Sequence, residues 1–238
     1  MAERDPTQIN RDHWDELAPV HWGSYSIPEI LAGHDPLYPG EADEVGDVAG
    51  KDLLHLQCHI GSDTLGWVRR GARVTGVDLS PASLELARKL FAEAGQSGTF
   101  IESDVLRLED DPVGCFDIVY ASRGVLCWIG DIRAWARVVA MHLKPGGVFY
   151  IMDSHPVLDL YMGPEPSIDD LSGSYFGEGV TIYPAGGGDY SSSGFVGETD
   201  SAEWIWSLSD VINALIGTGL HLDWAKEEDR CFYKALPE

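Results

Sequence analysis

Three apolar runs in this chain each end on residues suited to holding a polar ligand. The first, Leu53-Leu54-His55-Leu56-Gln57-Cys58-His59-Ile60-Gly61, reads as a strand running into a glycine turn and then a helix, which aims backbone N–H groups at a ligand. Seventeen residues beyond Gly61, Asp78 closes the second run, where a carboxylate can accept both hydroxyls of an adenosine ribose. The third run leads into Glu102-Ser103-Asp104-Val105. A carboxylate at Asp104 can accept the exocyclic amine of adenine, with the next backbone N–H on a ring nitrogen. Each feature alone is a weak signal. Three strand ends carrying them in this order point together to a nucleoside.

The elements that must position these residues follow from pattern. Strands are expected at residues 52–58, 73–78, 99–103, 116–122 and 148–153, each a short apolar run. Helices are expected at 63–70, ended by Gly71, and after Ser80, an N-cap with Pro81 at the first helical position and a stripe of Leu84, Ala87 and Phe91. A third spans 131–143, with Ile132, Trp135, Val138, Val139 and Leu143 inward. Alternating strands and helices predict a doubly wound α/β fold, a mostly parallel sheet with helices on both faces. Ligands bind such sheets at the carboxyl ends of the strands, near the switch in strand order. Residues 1–35 read as helical, and 36–50 as a loop with a short helix. After Pro156 the pattern breaks into a Gly-, Ser-, Pro- and Tyr-rich stretch, with short strands at 179–183 and 202–207 able to pair. A helix at 210–218 capped by Ser209 and a sixth strand at 220–226 complete the expectation.

Composition narrows the function classes. Acidic residues number 39 against 16 basic ones, a net charge of -23, and such a surface repels nucleic-acid backbones. Asp outnumbers Glu and only five residues are Lys, a balance that resembles proteins of salt-loving organisms; a GC-rich genome favouring Arg over Lys gives the same trend. No apolar run reaches transmembrane length, and the first ten residues hold no secretory h-region. The four cysteines, Cys58, Cys115, Cys127 and Cys231, match no zinc or disulfide pattern and suit a reducing cytoplasm.

Over residues 51–153 the sequence resembles the class I S-adenosylmethionine (SAM)-dependent methyltransferases. The resemblance rests on the turn at Gln57–Gly61, Val77-Asp78-Leu79-Ser80, Ser103-Asp104-Val105, Phe116-Asp117-Ile118-Val119 and Leu143-Lys144-Pro145-Gly146-Gly147. It implies SAM as cofactor and S-adenosylhomocysteine as product. It places Gln57, Cys58, His59 and Gly61 beside the methionine moiety, and Asp78 on the ribose. It sets Leu79 on the adenine face, Ser103, Asp104 and Val105 at the adenine edge, and Ser122 and Arg123 beside the sulfonium. The chain is expected to divide into four parts: an N-terminal helical lid (1–50), as the resemblance implies, a SAM-binding core (51–156), an insertion over the active site (157–203), read from the length of the irregular stretch, and a C-terminal helix and strand completing the sheet (204–238). The first turn departs from the family, which has Gly-Cys-Gly where this chain has Gln57-Cys58-His59. A branch of small methyltransferases carries a turn of this type.

Methyl transfer from a sulfonium is an in-line displacement in which positioning supplies most of the acceleration, and a base is needed only if the nucleophile carries a proton. His155, after the fifth strand, is a candidate base or else a loop histidine capping the strand end. Arg123 holds an acidic substrate group or forms a salt bridge. His59 reads equally as a structural histidine or as a side chain at the site's mouth. His21, Tyr25 and Trp128 are the lid and substrate-wall candidates, and no metal site is expected. The expected protein is a cytoplasmic monomer or homodimer that methylates a small molecule, with neither nucleic acid nor membrane as partner. A SAM-binding protein without catalysis is the alternative. A nicotinamide-dependent oxidoreductase fits less well, because the first turn lacks the glycines that admit a pyrophosphate.

Overall fold

In the computed structural model, residues 4–162, 169, 171–192 and 194–233 are described. Three helices come first: α1 (Pro6–Ser24), α2 (Ile27–Leu31) and α3 (Glu41–Val45). Strands and helices then alternate: β1 (Asp52–Leu56), α4 (Ser62–Arg69), β2 (Arg73–Asp78), α5 (Pro81–Glu93), β3 (Thr99–Glu102), β4 (Phe116–Ser122), α6 (Ile132–Met141) and β5 (Leu143–Met152). A hairpin of β6 (Thr181–Tyr183) and β7 (Ser201–Glu203) and the helix α7 (Leu208–Gly217) follow.

β1 to β5 form one sheet in the order β3-β2-β1-β4-β5, every neighbouring pair parallel. Strand alternation sorts its side chains between two cores. Leu53, Ile118 and Tyr120 pack with α1, α4 and α5; Leu54, Leu56, Val119 and Ala121 pack with α6 and α7. Both faces are therefore covered, which is why these strands read as nearly continuous apolar runs. Strand order reverses between β1 and β4, so the carboxyl ends of those two strands flank the switch point.

Local chemistry fixes the helix starts. Ser80 accepts the Ser83 N–H at 3.0 Å, and Asp131 accepts those of Arg133 and Ala134 at 3.0 and 2.9 Å. α7 begins two residues earlier than the sequence suggested. Ser207, not Ser209, is the cap, because Asp210 returns a hydrogen bond to the Ser207 N–H at 3.1 Å in a capping box. The Pro145-Gly146-Gly147 turn lies inside β5 as an irregularity: Leu143 pairs with Phe116 and Val148 with Ile118, with Gly146 at φ 79° between them.

The expected sixth strand at 220–226 is not a strand. Trp224 sits against Tyr150 at 6.2 Å and Lys226 pairs with Glu44 at 2.9 Å, so this segment is attached by side chains rather than by a backbone ladder. Leu222 and Trp224 stay about half exposed, so the segment buries too little apolar surface to be held as an edge strand. Among the described residues, no helix is long and apolar enough to cross a membrane.

Candidate functional site

The turn after β1 is built with left-handed backbone at three positions: Gln57 (φ 56°), His59 (φ 49°) and Gly61 (φ 74°). Gly61 is needed twice over, since a Cβ there would also stand 3.1 Å from the Ala87 Cβ. At Gln57 and His59 a side chain occupies a conformation that costs a non-glycine residue roughly 1 kcal/mol. The sequence departs from the family's glycines here, but the backbone still takes the shape glycines favour. Side-chain contacts hold it. Gln57 Nε2 donates to the Val125 carbonyl at 3.0 Å, and His59 bonds Ser83 and His21. Cys58 is buried over Gly76, and burial pushes its thiol up, so it is a packing residue at this turn.

Asp78 stands at the carboxyl end of β2, 9% exposed. Its Oδ2 accepts the His59 N–H at 2.7 Å and its Oδ1 the Ser80 N–H at 2.9 Å. Burial pushes its pKa up to about 6, against the backbone donors that favour the ionised form. Asp104 caps the turn at Val105–Glu109 by accepting the Leu106 N–H at 3.0 Å. Asp78, Leu79, Ser103, Asp104 and Val105 all line one cavity of about 650 Å³ at the switch point. That volume is in the range of small-molecule and cofactor sites.

The opposite wall holds a polar group that the sequence did not reveal. Asp63, in the first turn of α4, is 8% exposed and pairs with Arg123 Nη2 at 3.0 Å. The Ser122 hydroxyl lies 3.0 Å from Asp63 Oδ2 and 2.6 Å from the Tyr120 hydroxyl, either of which can take its one proton, and Tyr120 donates to the buried Glu41 at 2.5 Å. Burial pushes Asp63 up and the Arg123 guanidinium opposes it. An acid and a base side by side match the two charges of an amino-acid end. Gln57 Oε1, in the same cavity, is buried and has no hydrogen-bond partner. The residues present therefore fit SAM: a carboxylate for ribose hydroxyls, an adenine edge at Asp104 and Val105, a charge pair and an open acceptor for the methionine end.

α1 closes the cavity from above. Asp15 accepts from Ser80 Oγ at 2.6 Å and the Ala82 N–H at 3.1 Å, tying α1 to the start of α5. Trp14 meets His59 at 5.0 Å and Trp128 at 5.1 Å, edge to face, and Trp128 Nε1 donates to the Gly124 carbonyl at 3.0 Å. Trp14, Trp128, Tyr25 and His59 line the cavity. His21 is fully buried behind them, stacked on Tyr25 at 4.8 Å. Tyr190, from the segment after β5, joins the wall and shares a hydrogen bond with the Tyr25 hydroxyl.

Two catalytic candidates take structural positions. His155 is not among the cavity-lining residues. Its Nδ1 accepts the Val157 N–H at 3.1 Å at the head of a short helix, and its Nε2 meets Glu227 at 2.7 Å. Arg123 does line the cavity, but its guanidinium is already engaged by Asp63. Asp63, Asp189 and Tyr190 were missed because each matters through a partner distant in the chain, with no local motif to mark it.

A family model described as a methyltransferase domain matches residues 54–149. The chain is 31% identical over 153 residues to the ubiquinone biosynthesis O-methyltransferase of Marinobacter nauticus, covering 63% of this chain and 64% of that one. It is 27% identical over 197 residues to that of Dechloromonas aromatica, covering 83% and 80%. The chain thus spans a little under two thirds of the Marinobacter relative. The SAM-dependent methyltransferase from Clostridium acetobutylicum superposes with a TM-score of 0.55 at 18% identity, covering 77% of this chain and 80% of that one. The one from Mesorhizobium loti does so with a TM-score of 0.53 at 23% identity, covering 79% and 82%. These two neighbours share the fold. Residues 54–149 thus match a methyltransferase domain, and the strand-end residues of that stretch line one cavity on the fold these methyltransferases share.

Proposed function

We propose that this protein is an enzyme that moves the methyl group of SAM to a small-molecule acceptor and releases S-adenosylhomocysteine. The observation that carries this reading is the convergence of Asp78, Asp104, Val105 and the Asp63–Arg123 pair on one cavity at the strand switch. SAM, when bound, supplies an electrophilic methyl on a sulfonium. The chain's own residues bind and orient. Asp78 takes the ribose hydroxyls, Leu79 covers the adenine face, and the first turn with Ser122 borders the methionine end. α1, as a lid, excludes water with Trp14 and Tyr25.

The cavity is also lined by the rings of Tyr25, Tyr38, Tyr190, Phe232 and Tyr233, which we take as the acceptor side. Among the described residues, Arg123 is the arginine that lines the cavity, and Asp63 neutralises it. An uncharged, flat acceptor suits this wall better than an acidic one. The relatives' names, both O-methyltransferases, favour a hydroxyl as the nucleophile. Residues 1–50 are assigned to the lid and 157–203 to an insertion over the acceptor, while α7 packs with α6 on one face of the sheet and adds no strand to it. All four cysteines are free thiols, which supports a cytoplasmic setting. Net charge disfavours nucleic acid as a partner, and we take the protein as a monomer or homodimer.

Titration calorimetry with SAM, S-adenosylhomocysteine and NAD tests the assignment. SAM and S-adenosylhomocysteine are expected to bind, and Asp78→Ala to abolish their binding. Binding of NAD alone would sink the reading. Binding of SAM with no turnover across a set of hydroxylated aromatics would favour a SAM-responsive binding protein instead.

A further inference from the structure

Four side chains, Asp189, His21, His59 and Ser83, meet end to end beside the cavity. Both oxygens of Asp189 lie 3.1 Å from His21 Nε2. His21 Nδ1 lies 2.8 Å from His59 Nε2, and His59 Nδ1 lies 2.9 Å from the Ser83 hydroxyl. A carboxylate at one end orders the rest. Asp189 can only accept, so His21 carries its proton on Nε2. His21 Nδ1 and His59 Nε2 then share the next hydrogen bond, and His59 Nδ1 and the Ser83 hydroxyl share the last. Burial pushes Asp189 up, but the hydrogen bonds from His21 and Ser191 outweigh it and hold the carboxyl below its ordinary range. The ordering charge is therefore present at neutral pH.

The two ends of this chain of bonds reach different halves of the site. His59, through its backbone N–H, holds Asp78 Oδ2 at 2.7 Å. Asp189 is followed directly by Tyr190, which lines the acceptor wall and meets Tyr25. Neither His21 nor Asp189 itself lines the cavity. A bulky residue at His59, in a backbone conformation suited to glycine, is thereby given a reason: the imidazole is the joint between the cofactor carboxylate and the lid.

We infer that Asp189 and His21 are positioning residues that act through His59, coupling occupation of the cofactor site to the placing of Tyr190 over the acceptor. Fixing Asp78 on a ribose fixes the His59 turn, which fixes His21 and then the segment around Asp189. By linkage, ordering that segment tightens the cofactor site to the same degree. This rests on the reading of the cavity as a SAM site.

Hydrogen–deuterium exchange of the full chain, with and without S-adenosylhomocysteine, tests the coupling. In the native protein, saturation is expected to slow amide exchange across residues 186–202 by about fivefold or more. Asp189→Ala should still bind S-adenosylhomocysteine but lose that response, and Asp189→Glu should restore part of it. The variant is expected to fold, because other contacts anchor this segment. Asn10 exchanges two hydrogen bonds with Ala202, both at 2.8 Å, and Glu16 accepts the Glu198 and Thr199 N–H groups at 2.7 and 3.0 Å. His59→Gly breaks the chain of bonds from its other end on a backbone glycine accepts readily, and should give the same loss of response. An unchanged response in both variants, or none in the native protein, overturns the coupling. A native protein that binds no S-adenosylhomocysteine overturns the functional reading instead.

Discussion

The parallel sheet and the segment that follows β5 are held by different physics. In the sheet, strand side chains alternate between two apolar cores, and Trp67, Trp135 and Tyr120 are fully buried. In the segment, Leu171, Phe176 and Val196 are more than 60% exposed, and attachment to α1 runs through Asp189–His21, Glu16–Thr199 and Asn10–Ala202. Apolar burial is non-directional and cumulative. Hydrogen bonds to charged groups are directional and depend on protonation. The sheet is therefore a fixed platform, and the segment after β5 is a part that single polar changes can release.

The contrast breaks most readily at its strong end. Trp135→Ala removes the fully buried indole of α6 and should cost about 3–5 kcal/mol of global stability, read by urea denaturation. Asn10→Ala leaves the buried N–H and carbonyl of Ala202 without partners, at about 2 kcal/mol. Its loss should be local. Limited proteolysis is expected to cut around residues 185–200 while the thermal midpoint of the sheet moves little. If Asn10→Ala instead lowers the urea midpoint as much as Trp135→Ala, the two regions form one cooperative unit and the contrast fails.

pH separates the halves of the site further. Asp78 has its pKa raised to about 6 by burial, so the unliganded fold favours the protonated carboxyl. This group's contribution to stability is fully present below the ordinary carboxylate value of 3.8 and is lost as pH rises through about 6. Ligand hydroxyls need the opposite form, because they donate to an ionised carboxylate. Affinity for S-adenosylhomocysteine should therefore fall about tenfold for each pH unit below about 6, while the stability term from Asp78 grows. Calorimetry at pH 7.5 and 5 checks the first trend, and thermal melts of the unliganded protein against Asp78→Asn check the second. Parallel rather than opposed trends would remove Asp78 from the ribose.

What the sequence disclosed follows the same division. Strand-end residues such as Asp78 and Asp104 were legible because period and punctuation placed them, and α6 because its apolar stripe recurs at helical spacing. The partners Asp63 and Asp189 were not, since a salt bridge or relay between distant segments leaves no local period. The strand expected at 220–226 failed for a related reason. Leu220, Leu222 and Trp224 alternate as a strand would, yet Leu222 and Trp224 remain about half exposed, and the segment rests on Tyr150 and Glu44 through side chains. His155 caps the short helix at Pro156–Tyr161 rather than the strand end, and the contact of His59 with His21 pairs residues 38 apart that no local pattern links.

The smallest effect concerns two left-handed residues outside glycine, Ser26 and Gln57. Ser26 (φ 52°) precedes α2 without a side-chain capping bond, so Ser26→Gly should gain about 0.5–1 kcal/mol from relieved backbone alone. Gln57 (φ 56°) has the same backbone but also donates to Val125 across the sheet switch. Losing a hydrogen bond of this kind costs about 1 kcal/mol, so Gln57→Gly should come out near zero. The difference between the two substitutions, measured by denaturant midpoint at equal slope, isolates what the side chain contributes to holding a glycine-shaped turn without glycine. A gain at Gln57 as large as that at Ser26 would mean the amide does nothing for the fold, leaving its unpartnered Oε1 to be explained by the ligand alone.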